Sequence, residues 1–415
     1  MTETVEEFRD RARTWLADNM PRLADGESAG LGDDERYARA RTLQRRLWDG
    51  GFAGICWPDD YGGLGLAPEY QKAFTEESVP YEMPFLMNVP TFGILAATLI
   101  DFGTHEQKER HLPAVLKGEE LWVQFLSEPS GGSDLAGCLT RADRDGDVYI
   151  LNGSKIWSSA AYASDFAMCL ARTNWDVPKH RGLTMFILKI HQPGIQIDQI
   201  RQVNGSMEFC QEFFDDVQIP AENVIGEVDD GWTVATRLLL HERTAVGGGS
   251  PYTSGRAIGG ETGAMDRSLL DLAEVSGRGG ERHVRQLVAR HHVEEIVYRD
   301  LVGRVTDGLR SGALPAPSGS MLKLFHAVLG VERAEASLEI AADQVFAWSD
   351  GDDGIARALG EASLYRQAMC LGGGSNEIQK NIISERVLGM PREWAADREI
   401  PYRDVKRTAM PAGPS

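Results

Sequence analysis

Two short segments of this 415-residue chain combine glycine with hydroxyl side chains in a pattern that suits a bound ligand. The first reads LSEPSGGSD over residues 126–134, and the second reads GGGSNEIQ over residues 372–379, between two helical patterns. Small residues let a ligand approach the backbone, and free N–H groups and hydroxyls suit a phosphate or the polar edge of a ring. Taken alone, each segment is better explained without a ligand. The first is typical of a β-turn loop, and the second is typical of a flexible joint between two helices.

Two further segments bring an aromatic ring and a carboxylate. KIWSSA, at residues 155–160, places a Trp before two hydroxyls, which can stack on and hydrogen-bond to a flat heteroaromatic ligand. The simpler interpretation is a core Trp at a strand end. His241-Glu242-Arg243 follows an apolar LLL run, so the carboxylate there can be partly buried and basic. A helical Glu in isolation is more often solvated.

Composition and charge exclude several classes of protein. The net charge of −19 disfavours nucleic-acid binding, which depends on Lys and Arg. The five cysteines are scattered and never form a CxxC pair, which argues against a disulfide framework or a zinc site and fits a reducing cytosol. The N-terminal residues lack the apolar stretch of a signal peptide, and the longest apolar run, Phe92 to Ile100, is too short to span a bilayer. We therefore predict a cytoplasmic protein that binds neither nucleic acid nor membrane.

The elements that must position these segments fall into three blocks. Helical spacing recurs up to Leu116, and long helical patterns resume at Trp232. Between them, strand-like runs occupy 147–152, 165–171, 183–190 and 207–219, with hairpin-type turns at Asp145-Gly146 and Asn152-Gly153. The prediction is an α+β protein, mainly α, with a helical domain over 1–120, an antiparallel β-domain over 121–229, a helical domain over 230–395 and a surface tail over 396–415.

Together the four segments resemble, in type and order, the motifs of the acyl-CoA dehydrogenase family. LSEPSGGSD is similar to that family's first signature, and KIWSSA to its flavin-facing Trp–hydroxyl motif. EFFDDVQIPAENVIGE, at 212–227, resembles the end of its β-domain, and SNEIQKNIISERVLGMPRE, at 375–393, resembles its C-terminal signature. The resemblance extends from residue 5 to residue 393 and implies that family's fold.

The resemblance also implies an activity, a cofactor and partners. FAD would lie between the β-domain and the C-terminal helices and oxidise the Cα–Cβ bond of an acyl-CoA. A carboxylate would remove the α-proton while hydride passes from Cβ to flavin N5, and an electron-transfer flavoprotein would take the electrons. The assembly would be a homo-oligomer, a dimer or tetramer, or an α2β2 tetramer with a homologous subunit.

Site residues carry over position by position. The resemblance places Leu126, Ser127 and Ser133 along the flavin or the pantetheine passage, Trp157 and Ser159 against the isoalloxazine ring, and Ser375 and Glu377 near the ribityl and pyrophosphate groups. Ser133 and Arg243 are expected to contact the substrate.

The chain departs from the family at the base. The commonest position of the catalytic Glu is occupied by Gly373. Isovaleryl-CoA and sterol side-chain members instead carry a Glu-Arg pair on the first helix after the β-domain, and Glu242-Arg243 matches that position. The resemblance therefore assigns the base to Glu242 and leaves the Gly373 backbone N–H to donate to the thioester oxygen. Such a relocation goes with branched or bulky acyl groups.

A second departure concerns FAD held across a subunit boundary. The family's Arg-x-x-Phe-Gly and Gln-x-x-Gly-Gly segments are replaced by residues 280–285 and 344–350, with Arg282 or Arg285 as substitutes for the first. This supports an alternative in which the chain is a non-catalytic or half-site subunit of a heteromeric enzyme, whereas the intact Trp157, Ser159 and Glu242 oppose it. A third alternative is altered chemistry, as in a flavin oxidase or monooxygenase.

Other clusters point elsewhere. His291, His292, Glu294 and Glu295 lack an obvious third metal ligand at one face, so we predict a charged helix face and no metal. The basic loop Lys179-His180-Arg181 can approach a CoA phosphate, although a solvated loop is the simpler interpretation. A nicotinamide enzyme is disfavoured, because no GxGxxG follows a strand and opens a helix.

Overall fold

Helices begin almost at the N-terminus of the computed structural model, which describes residues 3–23, 31–246, 250–255, 268–345 and 355–405. The first, α1, starts at a capping box in which the Thr4 hydroxyl accepts from the Glu7 N–H and the Glu7 carboxylate accepts from the Thr4 N–H. Its apolar stripe, which includes Phe8 and Leu16, is fully buried. The N-terminal helices are α1 (Val5–Asn19), α2 (Asp33–Asp49), α3 (Pro68–Ser78), α4 (Phe85–Met87), a π-helix (Asn88–Ala96), α5 (Ala97–Phe102) and α6 (His105–Leu116).

The α4, π and α5 segments form one continuous helical stretch, Phe85–Phe102, that packs at the centre of this block. By length and hydropathy it meets the requirement for a membrane span, although the apolar run on which the sequence prediction rested is shorter. Of this stretch 61% is buried inside the fold, which is the behaviour of a core helix and makes it weak evidence for a membrane span. Thr91 in the π segment hydrogen-bonds to both backbone groups of Trp122, so the helix is tied to the start of the sheet.

A single eight-stranded sheet follows, which confirms the predicted middle β-domain. Its strands are β1 (Trp122–Phe125), β2 (Arg141–Asp145), β3 (Val148–Ser159), β4 (Phe166–Arg172), β5 (Leu183–Lys189), β6 (Ile195–Gln199), β7 (Phe209–Pro220) and β8 (Val224–Ile225). The order is β6-β7-β3-β2-β4-β5-β8, and β1 pairs with β4. Pairing is antiparallel except for β1 with β4 and one residue pair between β2 and β4.

The two predicted hairpin turns have different outcomes. Asp145-Gly146 does connect β2 to β3, with Gly146 at φ 61°. The prediction at Asn152-Gly153 is wrong, because Gly153 lies inside β3, where the β3–β7 register shifts. Gly153 has φ 144°, and a Cβ there would meet Thr140 Cα at 2.8 Å. The glycine therefore permits a close backbone approach within the sheet rather than a chain reversal.

The chain divides into two compact units by its internal contacts. The first comprises residues 1–201, 207–260 and 394–415, and it includes α7 (Gly231–Val246), the helix that follows the sheet. The second comprises residues 202–206 and 261–393. Its helices are α8 (Ser268–Val275), α9 (Arg282–Arg310), α10 (Gly319–Ala341), α11 (Ile355–Tyr365) and α12 (Asn376–Ile382), and its small core includes Leu272, Val284 and Ile340. The four domain limits given above stay predictions.

The described part of the C-terminal tail is anchored on the first unit rather than free on its surface. Tyr402 is 2% exposed, its ring lies 3.7 Å from the Arg172 guanidinium, and its hydroxyl donates to the Gly137 carbonyl. The Tyr402 and Arg403 N–H groups donate to backbone carbonyls of the loop after β4. The tail is therefore bonded both to the loop after β4 and, through Gly137, to the chain just after the LSEPSGGSD segment.

Candidate active site

The LSEPSGGSD segment leaves β1 and is held by a buried carboxylate. Glu128 accepts from the backbone N–H groups of Leu139, at 2.6 Å, and Thr140, at 2.9 Å. Burial by itself would raise the pKa of Glu128, but the Lys155 charge and these donors lower it to about 2. The carboxylate is therefore ionised and fixes both ends of the loop.

Lys155 joins this loop to the strand that carries the Trp. Its side chain is fully buried, and Nζ donates to Glu128 Oε1 at 2.9 Å and to the Leu126 carbonyl at 3.0 Å. Burial opposes the charge on Lys155, yet the ionised Glu128 beside it helps to raise its pKa above the ordinary value. Ile156 N–H also donates to the Ser127 carbonyl at 3.0 Å. The LSEPSGGSD and KIWSSA segments are therefore neighbours.

Trp157 is displayed to solvent by a strained backbone. It has φ 67°, lies where the β3–β7 register shifts between Ile156 and Ser158, and is 56% exposed. A positive φ at a bulky residue is a conformational cost that the surrounding structure must impose, and it points to a functional reason. Its ring is packed edge-on against Phe209. The alternative of a core Trp is therefore wrong.

The surroundings of Trp157 fit a flat heteroaromatic group. The exposed indole lies two residues before the exposed Ser159 on β3, and Ile156 of the same strand is bonded to Ser127. Across the loop, Ser133 is exposed, and a Cβ added at Gly131 would meet no atom within 4 Å. An aromatic face flanked by hydroxyls and open glycine backbone matches the chemistry of an isoalloxazine ring.

Glu212 is a buried carboxyl that sequence reasoning missed. It pairs across the strands with Lys155, is 0% exposed, and its Oε2 accepts from Ser158 Oγ at 3.0 Å. Burial raises its pKa to about 8, so the group is largely protonated at neutral pH. Glu212 lies midway between the buried Cys210 and Phe214 on β7, and this period-2 spacing was the available signal.

Glu242 lies on α7 and is 8% exposed, as the preceding apolar run suggests. Its Oε2 is 3.5 Å from Nε2 of Gln124 on β1, two residues before Leu126. One turn later Ala245 packs against the π-helix, where a Cβ on Gly93 would meet the Ala245 Cβ at 2.7 Å. Arg243 is partly buried. A buried carboxylate thus adjoins the strand that leads into the LSEPSGGSD loop.

The residue before Glu242 belongs to a separate polar group. His241 Nε2 lies 2.8 Å from Asp101 Oδ2 on α5, and Arg237 contacts the same carboxylate at 2.5 Å. Burial lowers the pKa of His241, so near neutral pH the contact is a hydrogen bond that the neutral ring donates to Asp101.

The glycine triplet lies in the second unit and shapes the start of α12. Gly373 and Gly374 have φ 70° and 88°, a region that favours glycine. Ser375 caps α12 by accepting from the Ile378 N–H, and Glu377 is exposed in the first turn. Gln379 Nε2 donates to the Gly373 carbonyl at 2.9 Å, and this hydrogen bond fixes the orientation of the triplet. The triplet is therefore an ordered cap rather than a flexible joint.

The remaining sequence predictions have mixed outcomes. Lys179 is bonded to Asp134 and Asp397, so its charge is already neutralised. His291 is 4% exposed and lies 3.1 Å from Glu294, so the predicted charged face is partly buried. Among the described residues no group of three or more His, Cys, Asp or Glu side chains is placed to hold a metal.

The two segments expected to contact FAD across a subunit boundary are only partly visible. Arg282 and Arg285 are exposed, and Arg285 lines an apolar cavity with residues of α8 and α9. Residues 346–350 of the second segment lie outside the described residues.

Comparison with known protein families matches three models along the chain. The acyl-CoA dehydrogenase N-terminal domain matches residues 2–119, the middle domain matches residues 124–217 and the C-terminal domain matches residues 229–388.

Whole proteins match over the same span. Acyl-CoA dehydrogenase IpdE1 of Mycobacterium tuberculosis is 35% identical over 399 residues, which cover 94% of this chain and 99% of the relative. A solved structure named Tcur3481-Tcur3483 steroid ACAD has a TM-score of 0.73 at 25% identity and covers 95% of this chain and 99% of that one. The ChsE4-ChsE5 complex from Mycobacterium tuberculosis has a TM-score of 0.71 at 26% identity, with the same coverage.

Proposed function

This chain belongs to the acyl-CoA dehydrogenase family, and from that premise we propose that Glu242 is the base that removes the α-proton of its acyl-CoA substrate. Members of the family are flavoprotein oxidoreductases that act on a CH–CH bond. The observation that carries the proposal is the burial of Glu242 beside β1, at 8% exposure, together with a glycine at the commonest position of the base.

The residues of the chain divide the work of the reaction. The Glu242 carboxylate accepts the α-proton, and the electron pair left on Cα forms the Cα=Cβ bond as hydride leaves Cβ. FAD, when bound, supplies the acceptor for that hydride. A dry pocket favours the neutral form of a carboxyl, which makes its carboxylate a stronger base than in water. We keep the Gly373 N–H as the donor that polarises the thioester carbonyl, because that role needs no side chain.

FAD contacts are proposed on both units. In the first unit, the exposed Trp157 and Ser159 and the loop residues Leu126 and Ser127 have the chemistry to hold the ring. Ser133 and Arg243 are proposed as substrate contacts. In the second unit, Ser375 and Glu377 are proposed for the ribityl and pyrophosphate region.

For the substrate, we propose the CoA thioester of a branched or ring-bearing acyl group. Relatives of this chain carry names such as steroid ACAD, cyclohexane-1-carbonyl-CoA dehydrogenase and isovaleryl-CoA dehydrogenase, and the Glu-Arg pair on α7 agrees with that group. An electron-transfer flavoprotein is the proposed electron acceptor.

A second candidate is a half-site subunit that completes the FAD site of a homologous partner. Two solved relatives are titled as pairs of chains, Tcur3481-Tcur3483 and ChsE4-ChsE5, which favours an α2β2 assembly over a homo-oligomer. The FAD content of the chain purified alone and with its candidate partner distinguishes the two: one FAD per chain alone supports the homo-oligomer, and FAD only in the pair supports the half-site.

The base is tested by anaerobic bleaching of the bound flavin with straight, branched and steroid acyl-CoAs. Because a positioned general base contributes about 100-fold or more, Glu242→Gln should bleach at least that much more slowly while retaining FAD. Glu82→Gln is the matched control, since Glu82 is also buried, at 5% exposure, but pairs with Arg39 at 2.9 Å and belongs to none of the proposed site segments. Bleaching of Glu242→Gln at the wild-type rate would exclude Glu242 as the base.

A further inference from the structure

Gln124 is the side chain through which β1 reaches Glu242. The strand β1 ends at Phe125, so Gln124 lies just before the loop residues Leu126 and Ser127. Its Nε2 is 3.5 Å from Glu242 Oε2, a long contact of the kind that shortens when an active site closes on its ligand. One strand therefore carries both a partner of the proposed base and the start of the proposed flavin loop.

The oxygen of the Gln124 amide has no hydrogen-bond partner within the described residues. This oxygen, Oε1, is also excluded from solvent. An amide donates through nitrogen and accepts through oxygen, so only nitrogen can face an ionised carboxylate favourably. Because Oε1 has no partner to lose, rotation of the amide by half a turn breaks no other hydrogen bond of the oxygen. The same side chain can then accept from a protonated carboxyl.

We propose that Gln124 is a positioning residue for Glu242 that serves both protonation states of the base. Before α-proton transfer its N–H donates to the Glu242 carboxylate, and after the transfer its Oε1 accepts from the Glu242 carboxylic acid. No atom is gained or lost by Gln124 in either step. The inference rests on the proposed function of Glu242.

The other titratable groups on the elements that pack against α7 are paired, exposed or neutral. The helix packs against the π-helix, α5 and β5. The π segment, NVPTFGILA, has no titratable side chain, and α5 contributes Asp101, which is bonded to His241 and Arg237. Strand β5 contributes only Lys189, which is exposed. Tyr252, on the segment after α7, is neutral near pH 7 because burial raises its pKa.

Gln44 offers a matched control for the amide. Gln44 is fully buried, its Nε2 donates to a single group, the Leu116 carbonyl, at 2.7 Å, and its Oε1 also lacks a partner. The difference is that its partner is a backbone carbonyl between α2 and α6 rather than a carboxylate. A purely structural role for a buried amide would affect Gln44 and Gln124 variants alike.

The test is the pH profile of anaerobic flavin reduction by an excess of the best acyl-CoA, with FAD-loaded enzyme. Gln124→Met removes both the donor to the Glu242 carboxylate and the acceptor from the Glu242 carboxylic acid. Because hydrogen bonds to charged groups are stronger, the loss of the donor has the larger effect, and the charged form of the base is disfavoured. We expect the acid-side midpoint to move to higher pH by about half to one unit and the rate at pH 7 to fall by up to about 3- to 10-fold. Gln124→Glu, which keeps the shape, should move it further, because it adds a second carboxylate.

Three outcomes would decide between the ideas. A wild-type profile in Gln124→Met, or an equal displacement of the profile in Gln44→Met, would overturn the role of Gln124 while leaving Glu242 as the base. If Gln124→Met fails to bind FAD, the profile of the isosteric Gln124→Glu decides instead, and a wild-type midpoint there overturns the proposal. Wild-type activity of Glu242→Gln would refute the base itself, and with it the premise of this inference.

Discussion

Replacing Glu212 by Gln should stabilise the protein at alkaline pH and have little effect at acidic pH. Glu212 is fully buried, Oε2 accepts from Ser158 Oγ, and Oε1 accepts no hydrogen bond within the described residues. Burial raises its pKa from the ordinary 4.5 to about 8. Below pH 4.5 the group is protonated in both the folded and unfolded chain. As pH rises from 4.5 to 8, the unfolded chain ionises and the folded chain does not, so stability is lost.

The size of the effect follows from the two pKa values. Their difference, 8 − 4.5 = 3.5, corresponds to about 4.8 kcal/mol of lost stability at 1.36 kcal/mol per pH unit. A Gln side chain does not titrate and can accept from Ser158 through its own Oε1. We therefore expect Glu212→Gln to gain several kcal/mol over the wild type between pH 5 and pH 8, measured by urea unfolding at both pH values.

Glu128→Gln is the contrasting control in the same buried layer. Its pKa is lowered from 4.5 to about 2, so its stabilisation, about 3.4 kcal/mol, is present above pH 4.5 and is lost as pH falls toward 2. Glu128→Gln should therefore be destabilised by a similar amount at pH 5 and pH 8. A stability difference between Glu212→Gln and the wild type that is the same at pH 5 and pH 8 would refute the assignment of a protonated Glu212.

Two other substitutions test the scaffold of the proposed site. Lys155→Met leaves the buried Glu128 without its counter-charge, so we expect a loss of about 3–5 kcal/mol of stability and faster FAD release, with part of the stability recovered when Glu128→Gln is added. Trp157→Gly relieves the backbone strain at φ 67° and removes a side chain that is 56% exposed. Thermal stability should therefore be unchanged or higher while FAD affinity falls. A fall in thermal stability with unchanged FAD affinity would contradict a ligand-binding role for Trp157.

Most of the fold could be predicted because it depends on local patterns. Helical spacing predicted the helical blocks before Leu116 and after Trp232, and apolar runs predicted β4 and β5. The strands β2 and β6 are harder to predict, since RADRD and IQIDQ are largely polar and their residues are mostly exposed or half-buried. The failure at Asn152-Gly153 has a non-local cause, because the same dipeptide type that turns at Asp145-Gly146 is held inside β3 by the proximity of Thr140.

The buried polar layer beneath the candidate site could not be predicted. Charged residues are by default assigned to the surface. Glu128, Lys155 and Glu212 are far apart in sequence, and only strand pairing brings the last two opposite each other. In contrast, the apolar run before Glu242 is a local signal, and it correctly suggested a buried carboxyl at that position.

The bulge in β3 explains how one strand both contributes Lys155 and Ser158 to the buried polar layer and exposes an aromatic ring to a ligand. Side chains alternate between the faces of a strand, so with Lys155 buried, Trp157 would also point inward and Ser158 outward. The register shift between Ile156 and Ser158 places an extra residue in β3. A shift of one residue moves every later side chain of the strand to the opposite face of the sheet. As a result Ser158 turns inward to bond Glu212, while Trp157 and Ser159 are exposed. Removing the bulge would bury the indole where Glu212 and Ser158 now lie, so the strain at Trp157 and the buried hydrogen bond beneath it are two consequences of the same inserted residue.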